Sequence, residues 1–329
     1  MIGKRLQGWL ALAMMVVTWV AQSEIVQSIE QRMNRPFLIT FINHGSMSLI
    51  LVGLPRDVWS RLSAAVRMPL ARIVQIAAML SLMYTAGDYL WYLALPYTSV
   101  AEATVLFNVQ SVFAVALSAA LLGERPGAAR VGGIAVSLVG VGLVSFDGSS
   151  GGAGGRRLLG DMLVVGGAAA YAAYEVLYRW LLVGDLASGA EVNAATALVG
   201  VTSLLTTWPL FPALDLAGVE TFAEPVPADL WPWIALNAAL ALVFNVAIMV
   251  SVAYLSPVTA ACATMLTIPL SAVVDYFFKH ASLSPVACGG AALVVFGFAL
   301  TELHPPKAKR DAADYDAIAP DDAEAARVQ

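Results

Sequence analysis

A few ionisable side chains interrupt the long apolar stretches of this 329-residue chain. They are Glu24, Asp88, Glu102, Glu175, Arg179 and Asp275, with His44 as a weaker candidate. A charge at the centre of a membrane helix costs about 2.5–3.5 kcal/mol, so each of these groups needs a partner, a polar cavity or a function. Carboxylates outnumber bases in the set. Since phosphorylated ligands usually require buried Lys or Arg, the imbalance favours a cationic, zwitterionic or neutral ligand.

Asp88 and Glu175 lie deepest in their apolar segments. At 1.5 Å per helical residue, Asp88 lies roughly 24 Å from the inner end of its segment and Glu175 roughly 22 Å from the outer end of its own. We therefore expect Glu24 and Asp88 to meet at an outer gate, and Glu175 and Asn245 to occupy the related inner position. Asn245 is the uncharged counterpart of Asp88 in the internal repeat described below. Our hypothesis is that Asp88 binds a proton or a cation and that this difference from Asn245 favours one of two alternating conformations.

These carboxylates also have a structural interpretation. Two pairs have the i, i+4 spacing of ion pairs along a helix face: Glu175 with Arg179, and Asp275 with Lys279. Asp88 could bond to Tyr92 or to a neighbouring helix without any further role. Both interpretations stay open for each residue.

Polar side chains recur at helical spacing on two other apolar segments. They are Thr104, Asn108, Ser111 and Ser118 on the first, and Thr264, Thr267, Ser271 and Asp275 on the second. Interhelical hydrogen bonds would explain them, but the cost of an unsolvated amide favours the lining of a cavity. Aromatic rings that could stack on a ring or a cation accompany them: Trp19, Tyr84, Trp91, Tyr92, Tyr171 and Tyr174.

The composition identifies the solvent of this chain. Hydrophobic residues make up 59% and charged residues only 12%, whereas soluble domains carry about a quarter charged residues. Ten apolar segments are long enough to be membrane helices: 6–26, 37–54, 72–95, 99–122, 127–146, 160–183, 193–214, 231–255, 258–278 and 285–303. None alternates with period two, so we expect an all-α membrane protein in a lipid bilayer. Two cysteines and a net charge of -5 argue against a disulfide scaffold and a basic nucleic-acid binder.

Lys and Arg residues predict the topology. With ten spans, thirteen Lys and Arg residues fall on the side of both termini and five on the other side. Because cytosolic loops carry an excess of Lys and Arg, this count predicts cytosolic termini. A secretory signal peptide within residues 1–21 is the alternative for the first segment. Residues 304–329 are rich in acids and predict a disordered cytosolic tail.

The chain divides into two similar halves around a glycine-rich linker. The predicted units are 1–146, the linker 147–159, and 160–303. At an offset of 157, three features recur: Gly132, Gly133 and Gly140 as Gly289, Gly290 and Gly297; Tyr97 and Ser99 as Tyr254 and Ser256; and Asp88 as Asn245. Five spans per half place the second copy upside down, as in many secondary transporters, whose sites lie between the halves. The glycines themselves predict close helix packing, either within the fold or between protomers.

Several short motifs carry a family resemblance over residues 6–303. Ala101 to Ser111, Leu122-Gly123-Glu124 and the glycine-spaced fifth segment resemble the EamA-type repeat of the drug/metabolite transporter superfamily. Trp19 to Glu24, Asn34 to Phe37 and Leu266 to Ser271 resemble the F branch of the solute carrier 35 family, which includes thiamine-repressible-like members. The second half departs from the repeat, with Ala281-Ser282 where a Gly-Glu could stand. Gln110-Ser111 also stands where many bacterial members have proline, although Pro269 keeps it in the second half.

The resemblance implies ten helices in two inverted five-helix halves around a central cavity. We predict a secondary transporter of a small organic solute that works by alternating access, either coupled to protons or another cation or as an exchanger. The candidate cavity residues are Glu24, Asp88, Tyr92, Asn108, Ser111, Tyr171, Glu175, Asn245, Thr267, Ser271 and Asp275. No cofactor, metal site or catalytic group is expected, and a homodimer is an option. The alternative function is that of a membrane receptor or a lipid-modifying enzyme. The protein is expected in an endomembrane, the vacuolar membrane or the plasma membrane, and the sequence leaves these three locations open.

Overall fold

A computed structural model describes residues 2–94, 97, 100–124, 126–147, 157–183, 188–278 and 284–303. All regular secondary structure in these parts of the chain is helical, which confirms the predicted all-α class. Residues 148–156 of the predicted linker and the acidic tail 304–329 lie outside the described residues.

The helices follow the predicted spans closely. In the first half they are α1 (Ile2–Glu30), α2 (Pro36–Ser46) with a 3₁₀ continuation (Met47–Gly53), α3 (Val58–Val66), α4 (Leu70–Ala94), α5 (Val100–Phe107), α6 (Gln110–Leu121) and α7 (Ala128–Asp147). In the second they are α8 (Arg157–Leu177) with a π-helical continuation (Tyr178–Val183), α9 (Gly189–Thr207), α10 (Leu210–Leu216), a 3₁₀ turn (Ala228–Leu230), α11 (Trp231–Tyr254), α12 (Pro257–Thr264), α13 (Thr267–Phe278) and α14 (Pro285–Leu303). The short helix α3, which is not among the predicted spans, ends at Arg67 in a left-handed backbone conformation.

The number of membrane crossings is bounded by length and apolarity. The described residues contain eight helices that could cross a membrane, or nine if the bent pair α9 and α10 forms one span. The predicted sixth span, now α8, is not among them; it carries the carboxyl groups of Asp161 and Glu175. The protein is therefore a multi-pass helical membrane protein, and the count of ten spans stays a prediction.

Helix breaks recur at the predicted offset. The fourth predicted span breaks at Asn108 and Val109, and the ninth breaks 157 residues later, at Met265 and Leu266. Side chains bond to main-chain carbonyls beside each break: Ser111 Oγ donates to the Asn108 carbonyl at 2.9 Å, and Thr267 Oγ1 to the Thr264 carbonyl at 2.6 Å. Such bonds satisfy polar groups that a break leaves without helical partners.

Helices α7 and α14 cross at the repeated glycines. A Cβ added to Gly133 would lie 2.6 Å from the Gly297 carbonyl oxygen, and one added to Gly140 would lie 2.5 Å from that of Gly290. The contacts are reciprocal, since Cβ atoms at Gly297 and Gly290 would meet the carbonyls of Gly133 and Gly140. Reciprocity of this kind is typical of a two-fold axis. Of the two predicted uses of these glycines, the structure shows packing within the fold.

Four helices form the centre of the molecule. α4 packs on α8 and α9, and α11 packs on α1 and α9. Since α4 belongs to the first predicted half and α8, α9 and α11 to the second, the centre of the fold is a contact between the halves.

Candidate functional site

Helices α2 and α4 bring His44 and Asp88 together. His44 Nε2 lies 2.8 Å from Asp88 Oδ2, and His44 Nδ1 lies 3.3 Å from Thr85 Oγ1. The His44 side chain is 1% exposed and that of Asp88 is 23% exposed. Asp88 thus has a buried titratable partner on a neighbouring helix, which the sequence indicated only weakly.

Tyr84 links this pair to the second half. Its ring stacks on His44 at 3.8 Å between centroids and on Tyr174 of α8 at 4.6 Å. Its hydroxyl donates to Asn245 Oδ1 of α11 at 2.6 Å, and Asn245 Nδ2 donates to the Ala241 carbonyl at 2.8 Å. The predicted equivalents Asp88 and Asn245 therefore lie on one network, connected through Tyr84 and His44.

Further aromatic rings surround the network. Tyr171 contacts Tyr84 edge-on at 5.6 Å, and Phe107 of α5 contacts Tyr171 at 5.9 Å. Tyr92 lies one helical turn beyond Asp88 on α4. With the rings of Tyr84 and Tyr174, these side chains form an aromatic cluster, and the face of such a ring attracts cations through its quadrupole.

Glu175 lies on α8 next to Tyr174, and its side chain is 0% exposed. Neither carboxylate oxygen has a hydrogen-bond partner among the described residues. The i, i+4 pair with Arg179 is not formed, because the helix changes to a π turn from Tyr178 onward and Arg179 Nη1 donates to the Val252 carbonyl at 3.5 Å instead.

The remaining predicted site residues are distributed along other helices. Asn108, Ser111 and Thr267 lie at the two helix breaks, and Asn108 Nδ2 donates to the Thr104 carbonyl at 2.7 Å. Ser271 lies on α13, which packs mainly on α1, α12 and α14. Glu24 lies on α1, and the expected gate is not seen at Asp88, whose carboxylate pairs with His44. The side chain of Asp275 and the whole of Lys279 lie outside the described residues.

A buried ion cluster lies where α7, α12 and α14 meet. Arg130 is 2% exposed; its guanidinium lies 3.9 Å from Glu124 and 3.7 Å from Glu302. It also donates to Thr259 Oγ1 at 3.0 Å and to Ser256 Oγ at 3.4 Å. The predicted fifth span, 127–146, places Arg130 at its cytosolic end, and the sequence offers no signal of this burial beyond the Leu-Gly-Glu motif that ends in Glu124.

At the other end of the molecule, Glu220 caps α2. Its carboxylate accepts the main-chain N–H groups of Phe37 at 2.9 Å and Leu38 at 3.2 Å, which have no partner within the first turn of the helix. Burial raises the pKa of this loop carboxyl above its ordinary value, while the two N–H bonds and the charge of Arg35 oppose the rise. Arg35 Nη1 also donates to the Glu224 carbonyl at 2.7 Å.

The network is closed in this conformation. His44, Tyr84, Tyr171, Tyr174 and Asn245 are all buried. An apolar groove of about 700 Å³ lies elsewhere, between α13 and α14, and includes Pro269, Val273 and Phe296. It contains none of the network residues. No group of three or more His, Cys, Asp or Glu side chains that could hold a metal ion occurs in the described parts of the chain.

Comparisons with known proteins identify the kind of membrane protein. Residues 6–146 match the EamA-like transporter family. The match covers the first of the two predicted halves, so this part of the chain is similar to EamA-like transporters. The predicted resemblance to EamA-type drug/metabolite transporters and to the F branch of solute carrier family 35 is thereby confirmed.

Two relatives of this chain are named as transport proteins. It is 22% identical to the "Thiamine-repressible mitochondrial transport protein THI74" of Saccharomyces cerevisiae over 89% of this chain and 90% of that one. It is 28% identical to "Solute carrier family 35 member F5" of Macaca fascicularis over 65% of this chain and 51% of that one. A crystal structure at 20% identity shares the fold, with a TM-score of 0.63 over 92% of this chain and 96% of that one. The relatives that this chain resembles are thus named as transport proteins.

Proposed function

We propose that the protein is a secondary transporter that moves a small organic solute by alternating access. The network His44, Asp88, Tyr84 and Asn245 carries this proposal, because its bonds and ring contacts join the two predicted halves at the centre of the fold. Sites of inverted-repeat transporters lie at that interface. A cycle that separates the halves on one side has to break the bond between Tyr84 and Asn245 or move it.

Two inverted five-helix halves, 1–146 and 160–303, are part of the proposal. The helix breaks one offset apart and the reciprocal glycine contacts between α7 and α14 support them. With ten spans, both termini lie in the cytosol, on the side that carries more Lys and Arg.

The substrate class follows from the chemistry around the network. Two carboxyl groups, Asp88 and Glu175, lie among the tyrosines, and His44 is the one basic side chain bonded to the network in the parts of the chain that the structure describes. This favours a cationic, zwitterionic or neutral solute, held by π faces and carboxylates, over a phosphorylated one. Asp88, for which the second half has Asn245, couples the cycle to a proton or a cation.

A ligand screen followed by uptake tests the proposal. The purified protein is heated with amines, thiamine-like cations, nucleosides and nucleotide sugars, because a ligand that binds the folded state raises the melting temperature. We expect stabilisation by a cationic, zwitterionic or neutral compound and its saturable uptake into liposomes. Saturable uptake of a nucleotide sugar would contradict the substrate class. Stabilisation without any uptake would favour a membrane receptor.

Asp88→Asn tests the role of the network. We expect the variant to fold and to lose most of the uptake or its pH dependence, whereas Asp57→Asn, at an exposed carboxylate before α3, leaves both unchanged. If Asp88→Asn transports normally with unchanged pH dependence, coupling through Asp88 is wrong.

A further inference from the structure

Glu175 is a buried carboxyl group that the network does not bind. Among the described residues, it alone combines complete burial with two carboxylate oxygens that lack hydrogen bonds. An ionised carboxylate in such surroundings would carry a large desolvation penalty with no compensating bond, whereas the neutral acid has a much smaller one.

Among the described residues, the groups around Glu175 supply no counter-charge in this conformation. The titratable side chains that interact with it are Tyr171 and Tyr174 on its own helix and Cys262 on α12. Tyr84 and Asp88 of α4 lie next to those two tyrosines. α6 contributes only neutral polar groups, and the side chain of Glu102 on α5 is outside the described set. Arg130 lies beyond Cys262 and is held by Glu124 and Glu302.

One cation is close along the chain but turned toward another helix. Arg179 would lie one turn from Glu175 in an α-helix, on the same face. The π turn Tyr178–Val183 widens the helix at this point, and Arg179 donates to the Val252 carbonyl of α11. π turns within α-helices frequently mark functional positions, and this one separates an acid from its natural helix-face partner.

We infer that Glu175 is a proton-binding site, occupied in this closed conformation and emptied when the π turn rewinds to an α-helix. Rewinding brings the guanidinium of Arg179 to the carboxyl group. The O–H bond of the acid then breaks, its proton passes to water on the opened side, and the carboxylate pairs with Arg179. The assignment of the proton site depends only on the burial of Glu175 and on the missing hydrogen bonds of its carboxyl group. The use of this site in a transport cycle rests on the proposed function.

Infrared spectroscopy of the full-length protein in lipid nanodiscs tests the site without any transport assay. We expect the C=O stretching band of a protonated, non-hydrogen-bonded carboxyl group at neutral pH. Glu175→Gln should remove this band, while Asp88→Asn and Glu302→Gln should retain it. In the unmutated protein, ¹³C labelling of glutamate should shift the band and labelling of aspartate should not, which decides the matter even if Glu175→Gln fails to fold. Absence of a glutamate-dependent band would overturn the proton site.

Arg179→Gln tests the counter-charge. If Arg179 pairs with the ionised acid, its loss should raise the pH at which the band disappears by at least about one unit, a tenfold change in proton affinity. Arg56→Gln, at an exposed arginine, is the control and should not move it. An unchanged midpoint in Arg179→Gln would overturn the pairing. A persistent band without uptake of any solute would contradict the proposed transport function and leave the proton site standing.

Discussion

Two regions of the molecule bury ionisable side chains in opposite ways. Around Arg130, two carboxylates and two hydroxyl groups surround one guanidinium, and the cluster ties α7 to α12 and α14. Around Glu175, a carboxyl group is buried as deeply among aromatic and apolar side chains without a bond. Glu220 lies between these extremes, since its carboxylate accepts hydrogen bonds from two N–H groups of α2.

The difference indicates which charges hold the fold together and which are available for function. A buried charge that faces opposite charges stabilises one arrangement, even though Arg130 Nε lacks a hydrogen bond among the described residues, and removing a partner is strongly destabilising. A buried acid without partners contributes little to that arrangement and responds to changes in its surroundings. We therefore expect the Arg130 cluster to dominate stability and Glu175 to dominate the response to protons.

Arg130→Met should have the largest effect on stability. The substitution leaves Glu124 and Glu302 without their buried cation, for which a loss of about 3–5 kcal/mol is typical. Urea or thermal unfolding in detergent would measure it, with Arg72→Met, at an exposed arginine bonded to Gln75, as the control. Equal stability of the two variants would show that the cluster is not structural.

Gly140→Val should follow in size. Its Cβ would lie 2.5 Å from the Gly290 carbonyl oxygen and 2.8 Å from the Val294 nitrogen, both of them backbone atoms that cannot turn aside. Overpacking of this kind costs about 1–3 kcal/mol, and separation of α7 from α14 would also strain the contact of Arg130 with Glu302. Gly142→Val, on the same helix with open space at its Cβ, is the matched control. If both variants melt alike, the helix crossing does not limit stability.

Glu220→Gln should change how stability depends on pH. Burial raises the pKa of Glu220 in the folded protein above the ordinary value of 4.5. The contribution of Glu220 to the free energy of unfolding is therefore complete below pH 4.5 and is lost as the pH rises through the pKa of the folded state. The melting temperature of the unmutated protein should thus fall relative to that of the variant as the pH rises. We expect the corresponding difference in the free energy of unfolding to be about 1 kcal/mol or less. Glu224→Gln, at an exposed residue of the same loop, should run parallel to the unmutated protein. A constant difference across pH would contradict the assigned shift.

Much of the fold could be predicted from periodicity and hydropathy. The ten predicted segments coincide with helices or broken helices, because apolar length and flanking charges decide where a helix can cross lipid. The breaks at Asn108 and Met265 were not predicted. No proline or glycine accompanies the first, whereas Pro269 of the second half cannot donate a hydrogen bond to the Met265 carbonyl four residues earlier, a signal that was not used. The recurrence of glycines in α7 and α14 at an offset of 157 residues is visible in the sequence. Their contact with each other depends on how the two helices pack and is seen only in the structure.

The site could be predicted only in part. Asp88, Asn245, Tyr171 and Glu175 stand out in sequence because polar groups are rare in apolar segments. The bonds that connect the network could not be predicted, since they join helices far apart in the chain. His44, for example, meets Asp88 only because α2 packs on α4. Arg130 was predicted only to lie at the cytosolic end of the fifth span, because the distribution of charges indicates the side of the membrane and not how deeply a side chain is buried.

Glu175→Gln should have the smallest effect on stability, and it is the strictest test of the contrast between the two regions. A neutral amide of similar shape replaces an acid that forms no bond among the described residues, so we expect a change of less than about 1 kcal/mol. The same substitution at Glu302 removes a carboxylate that accepts from Thr259 at 2.9 Å and faces Arg130, and should cost about 1.5–3 kcal/mol. Unfolding of both variants at neutral pH compares one chemical change in two surroundings. A loss at Glu175 as large as that at Glu302 would mean that the acid is ionised and bonded in the fold, and its assignment as a neutral group would be wrong.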